Sequence, residues 1–179
     1  MKKIIAFLFL FQLSFGQVNP EEWIIEHKDS IVEIKKYYIG DVDNDKNEDF
    51  VTVITSRNKE TNDVIHDVIN IKFSNDNFEM GFYPSEAIYI TKIEDVDKDG
   101  SNEILIFSKT HEGWWNDISI WTFKNKEWEE VAKTKGFCSD NEDFENRVIN
   151  KSGKYFLVGD DYELAKKGTI KKIKIRLKS

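Results

Sequence analysis

Asp95-Val96-Asp97-Lys98-Asp99-Gly100-Ser101-Asn102-Glu103-Ile104-Leu105-Ile106-Phe107 decides how this chain folds. Carboxylates stand at positions 1, 3, 5 and 9 of a nine-residue loop, Gly100 stands at position 6, and an apolar run follows at once. Oxygens from alternate residues of a tight turn converge on one centre, which suits a hard divalent cation such as Ca²⁺. Packed without a cation, the same carboxylates would repel one another. Fifty-four residues earlier, Asp41-Val42-Asp43-Asn44-Asp45-Lys46-Asn47-Glu48-Asp49 has the same spacing, with Lys46 in place of the glycine.

An EF-hand is excluded. That loop needs a bidentate Glu at position 12 and a helix on each side. Position 12 is Thr52 in the first loop and Ile106 in the second. Ala87–Ile93 enters the second loop and Ile104–Phe107 leaves it, both rich in β-branched and aromatic residues. Such runs mark strands, so each loop joins two strands.

The pattern D-x-D-x-D-G-x-x-[DE] followed by an apolar strand resembles the calcium loop of FG-GAP/VCBS repeats, the integrin-α type of β-propeller blade. The loop at Asp95 matches at every motif position, while the loop at Asp41 departs at Lys46. A left-handed conformation there costs a Lys about 1 kcal/mol more than a Gly. The resemblance implies two Ca²⁺ sites. Their side-chain ligands would be Asp41, Asp43, Asp45 and Asp49, then Asp95, Asp97, Asp99 and Glu103. The backbone carbonyls of Asn47 and Ser101, at position 7, would complete the sets.

The acidic loops head longer repeats. Phe50–Thr55, Val64–Phe73, a polar turn and Phe78–Phe82 follow the first. Ile104–Phe107, Ile118–Phe123, a polar turn and Trp128–Val131 follow the second, so that Phe73 and Phe78 correspond to Phe123 and Trp128. With the strand that leads to the next loop, each unit has four strands, the number in a propeller blade. A third, degenerate unit has strands Tyr155–Gly159 and Ile170–Leu177, with Ser152-Gly153-Lys154 where the aspartates would stand. Ile31–Tyr38 is a strand before the first loop, and Trp23–Glu26 reads either as a short helix or as a strand. The expected fold is all-β: repeated four-stranded antiparallel units at about 41–94, 95–150 and 151–179, with ten to twelve strands. It is a small or partial β-propeller, or a closed sandwich of the same unit, because a seven-bladed propeller needs more than twice this length.

Met1-Lys2-Lys3, the apolar run Ile4–Leu13 and a small residue at Gly16 read as a secretory signal peptide over residues 1–16, leaving one domain over 17–179. The expected location is therefore secreted or periplasmic. No stretch is apolar and long enough for a membrane span. Formal charge is −7 for the whole chain, and loss of Lys2 and Lys3 would make it −9, which argues against nucleic acid as a partner. Cys138 is the sole cysteine, so no internal disulfide braces the domain and bound cations are the available staples.

Catalytic patterns are absent. His27, His66 and His111 have no metal-ligand spacing, and there is neither a Gly-x-Ser-x-Gly elbow nor a phosphate loop. The clustered carboxylates are taken up by the two loops. The expectation is a non-catalytic calcium-binding module whose partner is another protein or a glycan. Its candidate recognition residues are His111, Glu112, Trp114 and Trp115, in the connection Lys109–Asp117. The alternative is a periplasmic inhibitor or immunity protein against lysozyme-like glycoside hydrolases, a second resemblance resting on size, leader and loop motif. It would offer Glu112 to a catalytic cleft.

Overall fold

The computed structural model describes residues 21–65, 69–74, 79–82, 87–109, 115–137, 146–161, 163 and 172–177. Among the described residues twelve strands form three antiparallel sheets, none of them closed, and within each sheet neighbours in sequence are neighbours in space. The first sheet holds β1 (Glu21–Glu26), β2 (Ser30–Gly40), β3 (Asp49–Asn58), β4 (Ile69–Phe73) and β5 (Glu79–Phe82). The second holds β6 (Ala87–Lys92), β7 (Ile104–Lys109), β8 (Trp115–Lys124) and β9 (Glu127–Phe137). β10 (Val148–Lys151), β11 (Lys154–Asp160) and β12 (Lys172–Arg176) make the third. The all-β antiparallel class expected from the sequence is therefore what the chain adopts.

The sheets begin one strand earlier than the sequence units do. β6 pairs with β7 over Ala87–Lys109 to Lys92–Ile104, and β2 pairs with β3 down to Gly40–Asp49. Each acidic loop thus turns the chain back within one sheet and is not a link from one sheet to the next. The base of the second loop is pinned by the Ile93 N–H donating to the Glu103 carbonyl at 2.8 Å. In the third sheet a two-residue turn, Ser152 (φ 52°) and Gly153 (φ 74°), stands where the other two carry an acidic loop. Asn125 and Lys126 (φ 53° and 67°) make the same left-handed turn between β8 and β9, the geometry that matches strand twist in tight hairpins. Glu21–Glu26 is a strand, since its backbone finds a full ladder against β2. Of the expected Val64–Phe73 strand, β4 covers Ile69–Phe73, while Val64 forms an isolated bridge with Arg57. Residues 66–68, Phe78 and the leader over 1–16 lie outside the described residues.

The second sheet is the middle layer. Along β7, Ile104 and Ile106 pack toward the first sheet against Tyr37, Ile39, Val51 and Val53. Leu105 and Phe107 point the other way, into a cluster with Leu157 and Leu177 of the third-sheet region. All four β7 residues are fully buried, which is why this strand reads as a continuous apolar run and not as an alternation. Trp128 bridges layers: its ring lies 4.6 Å from Phe73 of the first sheet and 5.2 Å from Phe123 of its own. Trp128→Ala should destabilise the domain by about 3–5 kcal/mol, read as a fall in the urea midpoint, whereas Trp121→Ala, at a half-buried position, should cost clearly less.

Candidate metal centre

The two acidic loops share one internal wiring. Asp41 accepts from the N–H groups of Asp45 (3.1 Å) and Lys46 (2.9 Å), as Asp95 does from Asp99 (3.1 Å) and Gly100 (2.9 Å). Asp43 and Asp97 each accept a 3.2 Å bond from the N–H two residues on, and the position-5 carboxylates accept from the N–H of Asn47 (2.7 Å) and of Ser101 (2.9 Å). At position 9, Asp49 accepts from the Val42 N–H and the Ser74 hydroxyl. Glu103 accepts in the same way from the Val96 N–H and the Thr122 hydroxyl. Positions 4 and 6 are left-handed in both loops: Asn44 (φ 62°) and Lys98 (φ 69°), then Lys46 (φ 70°) and Gly100 (φ 99°). Lys46 therefore takes the conformation in which the second loop uses glycine.

The loops differ in what converges. One oxygen from each of Asp95, Asp97, Asp99 and Glu103 lies within 4.8 Å of the others, a set that could hold a cation. In the first loop the corresponding group is Asp41, Asp43 and Asp45, without Asp49. Both position-9 carboxylates are tethered by equivalent donors, and Asp49 is one methylene shorter than Glu103, so it falls short of the centre. Glu103 is fully buried. Burial, helped by the charges of Asp97 and Asp95, pushes its carboxyl up to about 7. Burial likewise raises Asp49, and the Asn47 donors hold the exposed Asp45 below the usual carboxylate range.

Sequence reasoning missed two features of the centre. Lys124, from the β8–β9 hairpin, donates to Asp97 and sits 3.3 Å from Asp99, so an ammonium already shares this carboxylate cluster. Its hydrogen bond to Asp97 raises the Lys124 pKa above the usual lysine value. The loops also touch each other. The Asn102 N–H donates to the Asp41 carbonyl (2.8 Å), and the Asn102 side chain donates to the Ile93 carbonyl (3.1 Å). A Cβ on Gly40 (φ 78°) would lie 2.4 Å from Asn102 Oδ1, so only glycine admits this approach. Sequence spacing carries no sign of either contact, because both join residues of different hairpins.

Of the recognition residues, Trp115 opens β8 with its ring edge-on to Phe137 at 5.4 Å. His111, Glu112 and Trp114 lie outside the described residues. A cleft of about 710 Å³ opens instead between the first two sheets. Ile24 and Glu26 of β1, Glu33 of β2, Arg57 of β3, Tyr89 of β6 and Lys109 of β7 line it. These residues sit at the hairpin ends remote from the acidic loops. At about 3.3 Å per residue along β2 the separation is roughly 25 Å. Burial opposes ionisation of Glu33, yet Lys35 and Arg57 outweigh it and hold the carboxyl below its ordinary range. Nothing in the sequence marked the cleft, because it joins side chains of five different strands; Ile24 and Tyr89 in its lining are exposed.

No family model, no curated protein and no solved structure matches the chain. Function has to be argued from the site.

Lys46→Gly should stabilise the domain by about 1 kcal/mol, because it removes a left-handed lysine; thermal unfolding in chelator reads this directly. A second expectation concerns pH in chelator. Glu103 titrates near 7 when folded, above the ordinary value of 4.5. Between those values the folded state keeps a proton that the unfolded chain releases. Metal-free stability should therefore fall as pH rises from about 4.5 to about 7, by on the order of 1–3 kcal/mol. Urea midpoints in EDTA across that window test this, and Glu103→Gln should flatten the slope.

Proposed function

We propose that the chain is an exported, calcium-binding, β-propeller-like module of FG-GAP/VCBS type that binds another protein or a glycan and carries out no chemistry of its own. The observation that carries this reading is the convergence of Asp95, Asp97, Asp99 and Glu103 within 4.8 Å of one another at the base of a β-hairpin. Four carboxylates approaching so closely are stable only when positive charge neutralises them, and one lysine offsets only part of that charge. All-oxygen ligands on a flexible loop favour Ca²⁺ over transition metals, which prefer imidazole or thiolate. The loop at Asp41 would hold a second, weaker ion, since three of its carboxylates converge where the other loop gathers four.

The role of the ion in this reading is structural. It locks the turn between β2 and β3, or between β6 and β7, and so fixes how those hairpins project. The cleft lined by Ile24, Arg57 and Tyr89 lies at the far ends of the same hairpins. Mixed apolar, cationic and anionic lining suits a polar ligand with some apolar surface, as a peptide segment or a sugar presents. A five-stranded and a four-stranded antiparallel sheet, each with an acidic loop between two consecutive strands, support a reading as blades.

Calcium bound only by the folded state raises stability by mass action, by about 2.7 kcal/mol at a hundredfold excess over Kd. The melting temperature should accordingly rise with added calcium and fall in EDTA. Asp97→Asn should remove most of the increment, and Asp43→Asn a smaller part. Lys124→Gln should tighten calcium binding, because it withdraws a cation that competes for Asp97 and Asp99. A melting temperature indifferent to calcium and to EDTA would sink the reading.

A further inference from the structure

Among the described residues three sheets meet at two joints, and the chain carries two acidic loops. Valine, at position 2, is the only apolar side chain in either nine-residue loop. Val42 of the first loop is fully buried, in one cluster with Tyr37 and Val51 of the first sheet and Ile88 and Ile104 of the second. Val96 of the second loop is buried as well, in one cluster with Leu105 of the second sheet and Leu157 of the third. Each loop therefore leaves one sheet and places its single apolar residue in the joint with the next.

The end of each loop pins its own valine. The position-9 carboxylate accepts from the valine N–H, Asp49 from Val42 at 3.1 Å and Glu103 from Val96 at 2.7 Å. A polar tie then crosses to the following sheet. The Asn102 N–H, from the loop of the second sheet, donates to the Asp41 carbonyl at 2.8 Å. The Tyr155 hydroxyl, from β11, donates to Glu94 at 2.6 Å, one residue before the second loop. The third sheet has no following sheet among the described residues, and its first hairpin closes on Ser152 and Gly153 without an acidic loop. The loops thus match the joints in number and place, while a hairpin of this chain closes well without one.

We propose that each acidic loop is the clasp of one joint between sheets. Asp41–Asp49 holds the first sheet to the second through Val42 and the Asp41 carbonyl, and Asp95–Glu103 holds the second to the third through Val96 and Glu94. Loss of a clasp loosens the outer sheet at that joint by a sub-global opening, and the Asn102 tie passes only a smaller part to the far joint. The clasps consist of protein groups alone. That an ion ordering a loop would tighten its clasp is the one part that rests on the calcium reading. The cleft lies between the first two sheets, so the first clasp, and not the second, governs its walls.

Hydrogen exchange of the purified protein, resolved by peptide and followed by mass spectrometry, tests this. Run in EDTA and again in calcium, with each variant compared to wild type within one condition, it decides the clasps whether or not an ion binds. Val96→Ala should speed exchange in β10–β12 by about tenfold and in β1–β3 by about twofold at most. Val42→Ala should do the reverse. Asp49→Ala, which unpins Val42 without cutting the core, should reproduce the Val42→Ala pattern, an effect that core packing alone would not give. Tyr155→Phe deletes a single hydroxyl and keeps the test open if an alanine variant fails to fold; it should speed exchange in β10–β12 by about threefold and leave β1–β3 unchanged. Equal acceleration of the first and third sheets by Val96→Ala overturns the proposal. So does acceleration confined to the mutated loop, an Asp49→Ala protein whose first sheet exchanges as in wild type, or a Tyr155→Phe protein whose third sheet does.

Discussion

Everything in this fold is arranged around a buried carboxyl. Glu103 ends the second acidic loop, takes the Val96 N–H and the Thr122 hydroxyl, and hands the chain directly to β7, which is buried on both faces. All three sheets reach this loop or its flank. The first sheet touches it through the Asp41 carbonyl on the Asn102 N–H, and the third through the Tyr155 hydroxyl on Glu94 at 2.6 Å. Taking an ionised carboxylate out of water costs several kcal/mol unless charge or hydrogen bonds compensate. The two hydrogen bonds and Lys124 nearby supply part of that compensation, and a cation bound at the centre would add to it. Burial, with the charges of Asp97 and Asp95 beside it, raises the Glu103 pKa above the ordinary carboxylate value despite these two hydrogen bonds.

Local features were legible in the sequence because local chemistry fixes them. Aspartates at alternate positions must converge when the chain turns that tightly, and the runs around Ile88, Val53 and Ile120 have no stable use except as strands. Ser152-Gly153-Lys154 could be recognised as the place where a third acidic loop would stand, but the tight left-handed turn there emerges only from the structure. What stayed hidden is long-range. That β6 belongs with β7, and does not close the preceding unit, depends on which neighbour completes a hydrogen-bond ladder, and apolar periodicity is the same in either case. The contact of Asn102 with Gly40 and Asp41, and the placing of Lys124 over Asp97, join residues that nothing in the spacing relates. The reading of Trp23–Glu26 was undecided for a related reason: a strand with every residue exposed has no buried face to announce it.

The comparison of the two loops shows how small a chemical change separates equivalent backbones. Hydrogen bonds, left-handed positions and hairpin context repeat at an offset of 54 residues. Lys46 was the expected point of weakness, yet the backbone absorbs it. The more consequential difference is at position 9, where Asp49 and Glu103 accept from matching donors and one methylene decides whether the carboxylate also reaches the centre. A motif judged by its glycine alone would overlook this difference in convergence.

Two such loops one hydrogen bond apart are not independent. The Asp41 carbonyl that accepts from Asn102 belongs to position 1 of the first loop, and Asn102 is the neighbour of Glu103 in the second. An ion that orders either loop therefore orders part of the other, which lowers the entropy still to be lost there. Because β2 and β6 leave these loops as rigid, paired strands and open at their other ends onto Ile31 and Tyr89, whatever fixes the loops fixes the walls of the cleft. In the proposed reading, charge neutralised at one end of a hairpin would set shape at the other through paired strands alone.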